Sequence, residues 1–220
     1  MIVLEKVSKI YSTSKDVTRA LDCIDLKICD GEIVAIMGAS GSGKTTLLNI
    51  LGTMDRVTDG KYFNNNTEIS KLRTKDLNEY RKSNISFVFQ NFELLNDFTV
   101  FENVEMPLKA RRIPKDDRKR IVSDALIKLD IIDLKDKYPQ EISGGQKQRV
   151  AIARAYVCDT SIILADEPTG SLDKENGEMV MQLLKEINRE GKTVVVVTHS
   201  QEVAEQCQRI ITIRDGKIYE

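Results

Sequence analysis

The stretch Glu32–Leu51, EIVAIMGASGSGKTTLLNIL, decides the fold. It opens on the apolar run EIVAIM, passes through GASGSGKT (Gly38–Thr45) and closes on the helix-like TLLNIL of Thr46–Leu51. The middle matches G-x-x-x-x-G-K-[ST] between a strand and a helix, the context in which that pattern is a phosphate-binding loop. Gly38, Ala39, Ser40, Gly41, Ser42 and Gly43 can turn successive backbone N–H groups onto phosphate oxygens, and the N-terminus of the helix, where Thr45 and Thr46 lie, adds partial positive charge. In that chemistry Lys44 neutralises the β- and γ-phosphates and the Thr45 hydroxyl ligates magnesium.

Working outward, short apolar runs bounded by Gly, Asp or Ser recur at Ser161–Ala165 and Lys192–Val197, each followed by a loop and a helix-like pattern. IILA and VVVVV are continuous rather than alternating, as expected of parallel strands covered on both faces, so the fold class is α/β. Lys174–Arg189 reads as a helix packed on that sheet through Met179, Val180, Leu183, Leu184 and Ile187. Met1–Ile10 and Ala20–Cys29 read as strands, and Asn64–Asn66 as a polar turn, giving a small antiparallel β region beside the main sheet. From Thr99 to Pro139 the sequence turns charged and helix-forming, with Val122, Leu126 and Leu129 on one face. The expected division is a core plus β region over about 1–95 and 155–220, with an inserted helical subdomain over about 96–154.

Composition narrows the function. Thirty-three Lys and Arg against 34 Asp and Glu leave a formal charge of -1, so no global field calls for nucleic acid. The N-terminus lacks the features of a signal peptide, and no run reaches the ~18 apolar residues of a membrane span, so the chain is expected in the cytosol. Cys23, Cys29, Cys158 and Cys207 form no CxxC pair, and with one histidine they make no zinc set; they read as reduced, mostly buried thiols.

The strand SIILA runs into Asp166-Glu167-Pro168, placing two carboxylates at a strand's C-terminal end, where open α/β sheets bind ligands. Asp166 suits the magnesium shell and Glu167 the polarisation of an attacking water. His199 follows VVVVT, just past another strand end.

Between these pieces stands Ile142-Ser143-Gly144-Gly145-Gln146, followed by Lys147-Gln148-Arg149, which resembles the signature sequence of ABC ATPases. The family pattern then fits in order along nearly the whole chain. Tyr11 resembles the adenine-stacking aromatic, Gly38–Thr45 the Walker A loop, Gln90 the Q-loop glutamine that reaches the metal, Ser143–Gln146 the signature, Ile162–Glu167 the Walker B strand, Ser171-Leu172-Asp173 the D-loop and His199 the switch histidine. Ile142 departs from the family's more common Leu, a change of similar volume.

This resemblance implies a P-loop NTPase (RecA-like) core with a small antiparallel β subdomain and an inserted α-helical subdomain. It implies ATP and Mg2+ as cofactors, with Glu167, His199 and Lys44 catalytic. Tyr11, Gln90 and the loop residues would hold nucleotide in one subunit, and Ser143, Gly145 and Gln146 would cap the ATP of the other, so a homodimer forms around ATP. It also implies a separate transmembrane permease as partner, docked near Phe92, Leu94, Leu95 and Phe98, at the cytoplasmic face of the membrane. FVFQNFELLNDFTVFENVEMPL and ADEPTGSLD resemble the branch of macrolide exporters, lipoprotein-release systems and antimicrobial-peptide resistance transporters. An ABC ATPase of DNA repair or translation fits less well, because 52 residues separate Gln90 from Ser143 and leave no room for a long coiled-coil insertion. The alternative of a mechanotransmitting cell-division-type ATPase stays open at this level.

Overall fold

The computed structural model of the chain describes residues 1–12 and 16–219. Its elements in order are β1 (Ile2–Ser12), β2 (Val17–Ile28), β3 (Ile33–Met37), α1 (Lys44–Leu51), β4 (Asp59–Asn64), β5 (Thr67–Glu68), α2 (Thr74–Asn84), β6 (Ile85–Val88), α3 (Val100–Ala110), α4 (Lys115–Lys128), α5 (Gly144–Tyr156), β7 (Ile162–Asp166), α6 (Lys174–Arg189), β8 (Thr193–Val197), α7 (Gln201–Ala204), β9 (Arg209–Arg214) and β10 (Lys217–Tyr219).

The central sheet runs β10-β9-β3-β8-β7-β6, parallel throughout except for β10 at one edge. Its inner strands have apolar side chains on both faces because each face is covered. Val34 and Ile36 of β3, Ile162 and Leu164 of β7, and Val195 and Val197 of β8 join one core with α1 and the smaller sheet, whereas Ile33, Ile163, Ala165, Val194 and Val196 join a second core with α3–α6. The period of two along a strand thus sorts neighbouring residues into two cores. The smaller sheet, β2-β1-β4-β5, is antiparallel, and the turn between β4 and β5 passes through Asn65 at φ 50, where asparagine tolerates the left-handed region.

Between residues 100 and 156 the chain forms α3, α4 and α5, joined by a short turn and by a longer loop over 129–143. α3 starts on a capping box between Thr99 and Glu102, and Val122, Leu126 and Leu129 are buried as their spacing predicts. Two expectations are corrected. The buried stripe of α6 is Val180, Met181, Leu184 and Ile187; Met179 points outward at 40% exposure, because the face is rotated by about one residue from the one read from spacing. The cysteines are less buried than expected: Cys23 and Cys29 are exposed, and Cys158 and Cys207 are half-buried.

Candidate functional site

β3, β7 and β8 all end on the same edge of the parallel sheet, and the loops that leave them meet there. The resulting cleft has a volume of about 680 Å³ and is walled by Ser40, Gly41, Gly43, Lys44, Thr45, Thr46, Gln90, Asp166, Glu167 and His199, among others. Residues spread over 160 positions of sequence are therefore brought together at strand tips.

The phosphate loop is held by fit rather than by side-chain caps. A Cβ on Gly38 would lie 2.2 Å from the Ile213 carbonyl oxygen, and one on Gly43, at φ 108, would lie 2.6 Å from that of Ala20. Both positions therefore exclude larger residues. The Gly216 N–H donates to the Ser42 carbonyl at 3.0 Å, tying the loop to the β9–β10 turn. Gly43 caps α1 with no side-chain acceptor and no acidic residue follows in the first turn, so the helix start keeps its donors and its positive end open to an anion. The Lys44 Nζ donates to the carbonyls of Gly38 and Ala39 at 2.8 and 2.9 Å, so the ammonium lies across the loop.

At the end of β7, burial pushes the Asp166 carboxyl above its usual range; the Glu167 carboxylate adds to the rise and Lys44 opposes it. Glu167 has φ 45, an uncommon conformation for a non-glycine residue, and it is fixed on both sides. Its N–H donates to the Val197 carbonyl at 2.9 Å, and its carbonyl accepts from the Gly170 N–H at 3.0 Å. Its side-chain Oε1 lies 2.8 Å from His199 Nδ1, and its Oε2 accepts from Thr198 Oγ1 at 3.4 Å. The exposed imidazole thus has one nitrogen committed to Glu167 and the other available. Opposite, the Gln90 carbonyl accepts from Ser171 Oγ at 3.3 Å, and a Cβ on Gly170 would lie 2.8 Å from Gln90 Nε2.

Several sequence-selected residues lie elsewhere. Gly38, Ala39 and Ser42 shape the loop from behind without lining the cleft. Tyr11 adjoins Thr46, but its hydroxyl donates to Asp55 Oδ2 at 2.8 Å and Lys9 Nζ stands 4.8 Å from its ring centre, so the ring is not part of the cleft wall. Ser143, Gly145 and Gln146 are also outside it. Exposed Ser143 caps α5: its Oγ accepts from the Gln146 N–H at 3.3 Å, and Gln146 Oε1 accepts from the Ser143 N–H at 2.9 Å. Gly145 packs so tightly on Asn176 of α6 that a Cβ would meet its Oδ1 at 2.0 Å.

Sequence reading missed the far wall of the cleft: Thr18, Arg19 and Ala20 from β2, with Asp215 and Gly216 from the β9–β10 turn. Asp-Gly between two strand patterns signals a hairpin, but nothing in it signals contact with a loop 170 residues earlier.

A phosphate loop, a strand-end carboxylate pair and a signature sequence on one α/β scaffold define a nucleotide-hydrolysing cassette. The family profile described as ABC transporter matches residues 21–170, and the chain belongs to that family as an ATP-binding cassette ATPase. It is 46% identical over 225 residues to the uncharacterized ABC transporter ATP-binding protein MJ0796 of Methanocaldococcus jannaschii, covering 99% of this chain and 95% of that one. It is 45% identical over 218 residues to the macrolide export ATP-binding/permease protein MacB 1/2 of Paracoccus denitrificans, covering 99% of this chain but only 33% of that protein's length. The dimeric post-hydrolysis structure of MJ0796 bound to ADP and Pi superposes with a TM-score of 0.91 at 42% identity, over 100% of this chain and 97% of that one.

Proposed function

We propose that this cassette is the ATP-driven subunit of an exporter-type transporter, closing as a homodimer on two ATP molecules and moving a permease carried by a separate chain. The observation that carries the reading is the split of the site. Lys44, Thr45, Gln90, Asp166, Glu167 and His199 share one cleft, whereas Ser143 is fully formed as a helix cap and turned to solvent. A second copy would bring that serine to the γ-phosphate, leaving the side-chain N-cap bond intact while the hydroxyl proton is donated to the phosphate.

Within the cleft, the backbone donors of the loop and the start of α1 receive phosphate, and Lys44 exchanges its two carbonyl acceptors for phosphate oxygens. Thr45, Gln90 and Asp166 supply oxygen donors of the type a hard divalent cation takes, which fits Mg2+. When bound, that ion would supply charge neutralisation between the phosphates. Glu167, held by Val197, Gly170 and His199, is placed to accept a proton from water, and His199 keeps a ring nitrogen for the γ-phosphate. Closure excludes water and strengthens each of these interactions. Hydrolysis removes the γ-phosphate and with it the contacts that hold the dimer.

We assign residues of about 96–154 to a helical subdomain that carries the load. The segment between Gln90 and α3 presents exposed Leu95, while Leu94 packs on the core. Buried Asn103 holds that segment by donating to the carbonyls of Leu95, Phe98 and Thr99 and accepting from the Leu95 N–H. This is a stiff, partly apolar surface suited to a permease's cytoplasmic helix. No described helix is long and apolar enough to cross a membrane. Attachment to the cytoplasmic face of the membrane would therefore come through that partner. The macrolide-export and bacitracin-export relatives support an exporter.

The test is the mass in solution of Glu167→Gln with magnesium-free ATP and then with ADP. A dimer with ATP and a monomer with ADP is expected; a monomer in both, with ATP bound, removes the nucleotide-driven clamp.

A further inference from the structure

The signature helix α5 is attached to the two loops that flank this chain's own cleft. Near its C-terminal end, the Arg154 guanidinium donates to two consecutive carbonyls, of Glu93 at 2.5 Å and of Phe92 at 2.8 Å. Phe92 and Glu93 both have positive φ, at 63 and 48, and that paired left-handed turn brings both oxygens onto one planar fork. Gln90 lies two residues before Phe92. One and a half turns nearer the signature, wholly buried Gln148 donates from Nε2 to the Pro168 carbonyl at 2.6 Å. Pro168 follows Glu167 directly, and lacking an N–H, it offers only that carbonyl for a bond. At the tip of the helix, Phe92 and Leu172 come within 3.9 and 3.5 Å of the Cβ position of Gly144.

We infer that Arg154 and Gln148 are positioning residues that tie the signature of each chain to its own Gln90 and Glu167, so that ATP in one cleft sets how Ser143 is presented to the other. Neither side chain lines the cleft, so neither binds nucleotide. Both act on backbone carbonyls one to three residues from Glu167 and Gln90, which line the cleft, and both sit on the helix that begins at the signature. A displacement of either loop by a fraction of an ångström is therefore passed to α5, because these bonds and the packing at Gly144 fasten both loops to a helix that is itself packed on α3, α4 and α6. Through this linkage the two ATP sites of a dimer favour each other's occupation, a coupling that each ATP reports on reciprocally.

The inference rests on the ATP-closed dimer proposed above, and its test separates the two. In the Glu167→Gln background, Arg154→Lys, Arg154→Met and Gln148→Met are titrated with magnesium-free ATP while light scattering follows dimer formation. Binding of fluorescent ATP to the dilute monomer is measured in parallel. The coupling predicts monomer affinity within about threefold of the parent and a tenfold or larger rise in the ATP needed for half-dimerisation with either Met variant. Arg154→Lys, which keeps the charge and one donor direction, shifts it less and decides the matter if the Met variants do not fold. With Glu167 restored, the Hill coefficient of turnover falls from the parent's value toward one. Variants that melt earlier yet keep the parent's half-dimerisation point and Hill coefficient overturn the coupling and leave the residues a packing role alone. A parent that binds ATP but never dimerises overturns the dimer and the coupling together.

Discussion

The starts of helices α1 and α5 are built on opposite plans. α1 begins at Gly43 with no side chain to cap it and no acid in its first turn, whereas α5 begins at Ser143 inside a complete capping box with Gln146. An uncapped helix start has a strong demand for an anion and takes its final form with one. A capped start is finished beforehand and holds its shape until something comes to it. The first plan suits the primary phosphate site, which must win its ligand from water. The second suits a surface offered to a ligand that arrives already bound to another molecule.

The sharpest way to break this contrast is Lys44→Ala, which removes the ammonium lying across the loop before α1. Nucleotide affinity should fall about a hundredfold or more, the scale of two lost charge-assisted hydrogen bonds, and equilibrium dialysis checks it. Ser143→Arg should do the reverse: monomer ATP affinity should stay within about threefold while turnover drops by about a hundredfold, because bulk on α5 blocks only the partner's site. Loss of monomer binding there would mean that the signature serves its own cleft. His199→Ala should lower turnover by roughly 10–100-fold, the scale of a positioned proton-transfer partner, with a melting point close to the parent's because the ring is 71% exposed. The smallest effect on the monomer is that of Ser143→Ala, which removes the cap together with the hydroxyl offered to the partner's γ-phosphate. It should cost about 1 kcal/mol of stability, seen as a melting point lower by about 2–4 °C, and no such loss is available at α1, where no side chain caps the helix.

Much of this was legible in the residues because chemistry and local pattern coincide. EIVAIM before GASGSGKT, and SIILA before Asp166, place the functional groups at strand ends by continuity of the chain alone. His199 was legible only through the company of the other motifs. What escaped reading was whatever depends on packing between distant elements. Arg154 and Gln148 look like ordinary members of an amphipathic helix, and their importance comes from carbonyls 62 and 20 residues away. Asn103 likewise gives no sign in sequence that it supports the segment before α3. Met179 fits the apolar spacing of α6 and still faces out, because a helix period tolerates a rotation of one residue that only the neighbouring surfaces can settle.

The phosphate loop rests on the far end of the chain. Gly38 and Gly43 abut Ile213, and Ser42 accepts from Gly216. β9 also supplies the neighbour without which β3 would be an exposed sheet edge. During synthesis, the loop at positions 38–45 therefore emerges from the ribosome long before the residues that mould it. The contacts that mould it form only once residues 209–216 have been made, so a cassette cut short before them is expected to lose nucleotide binding.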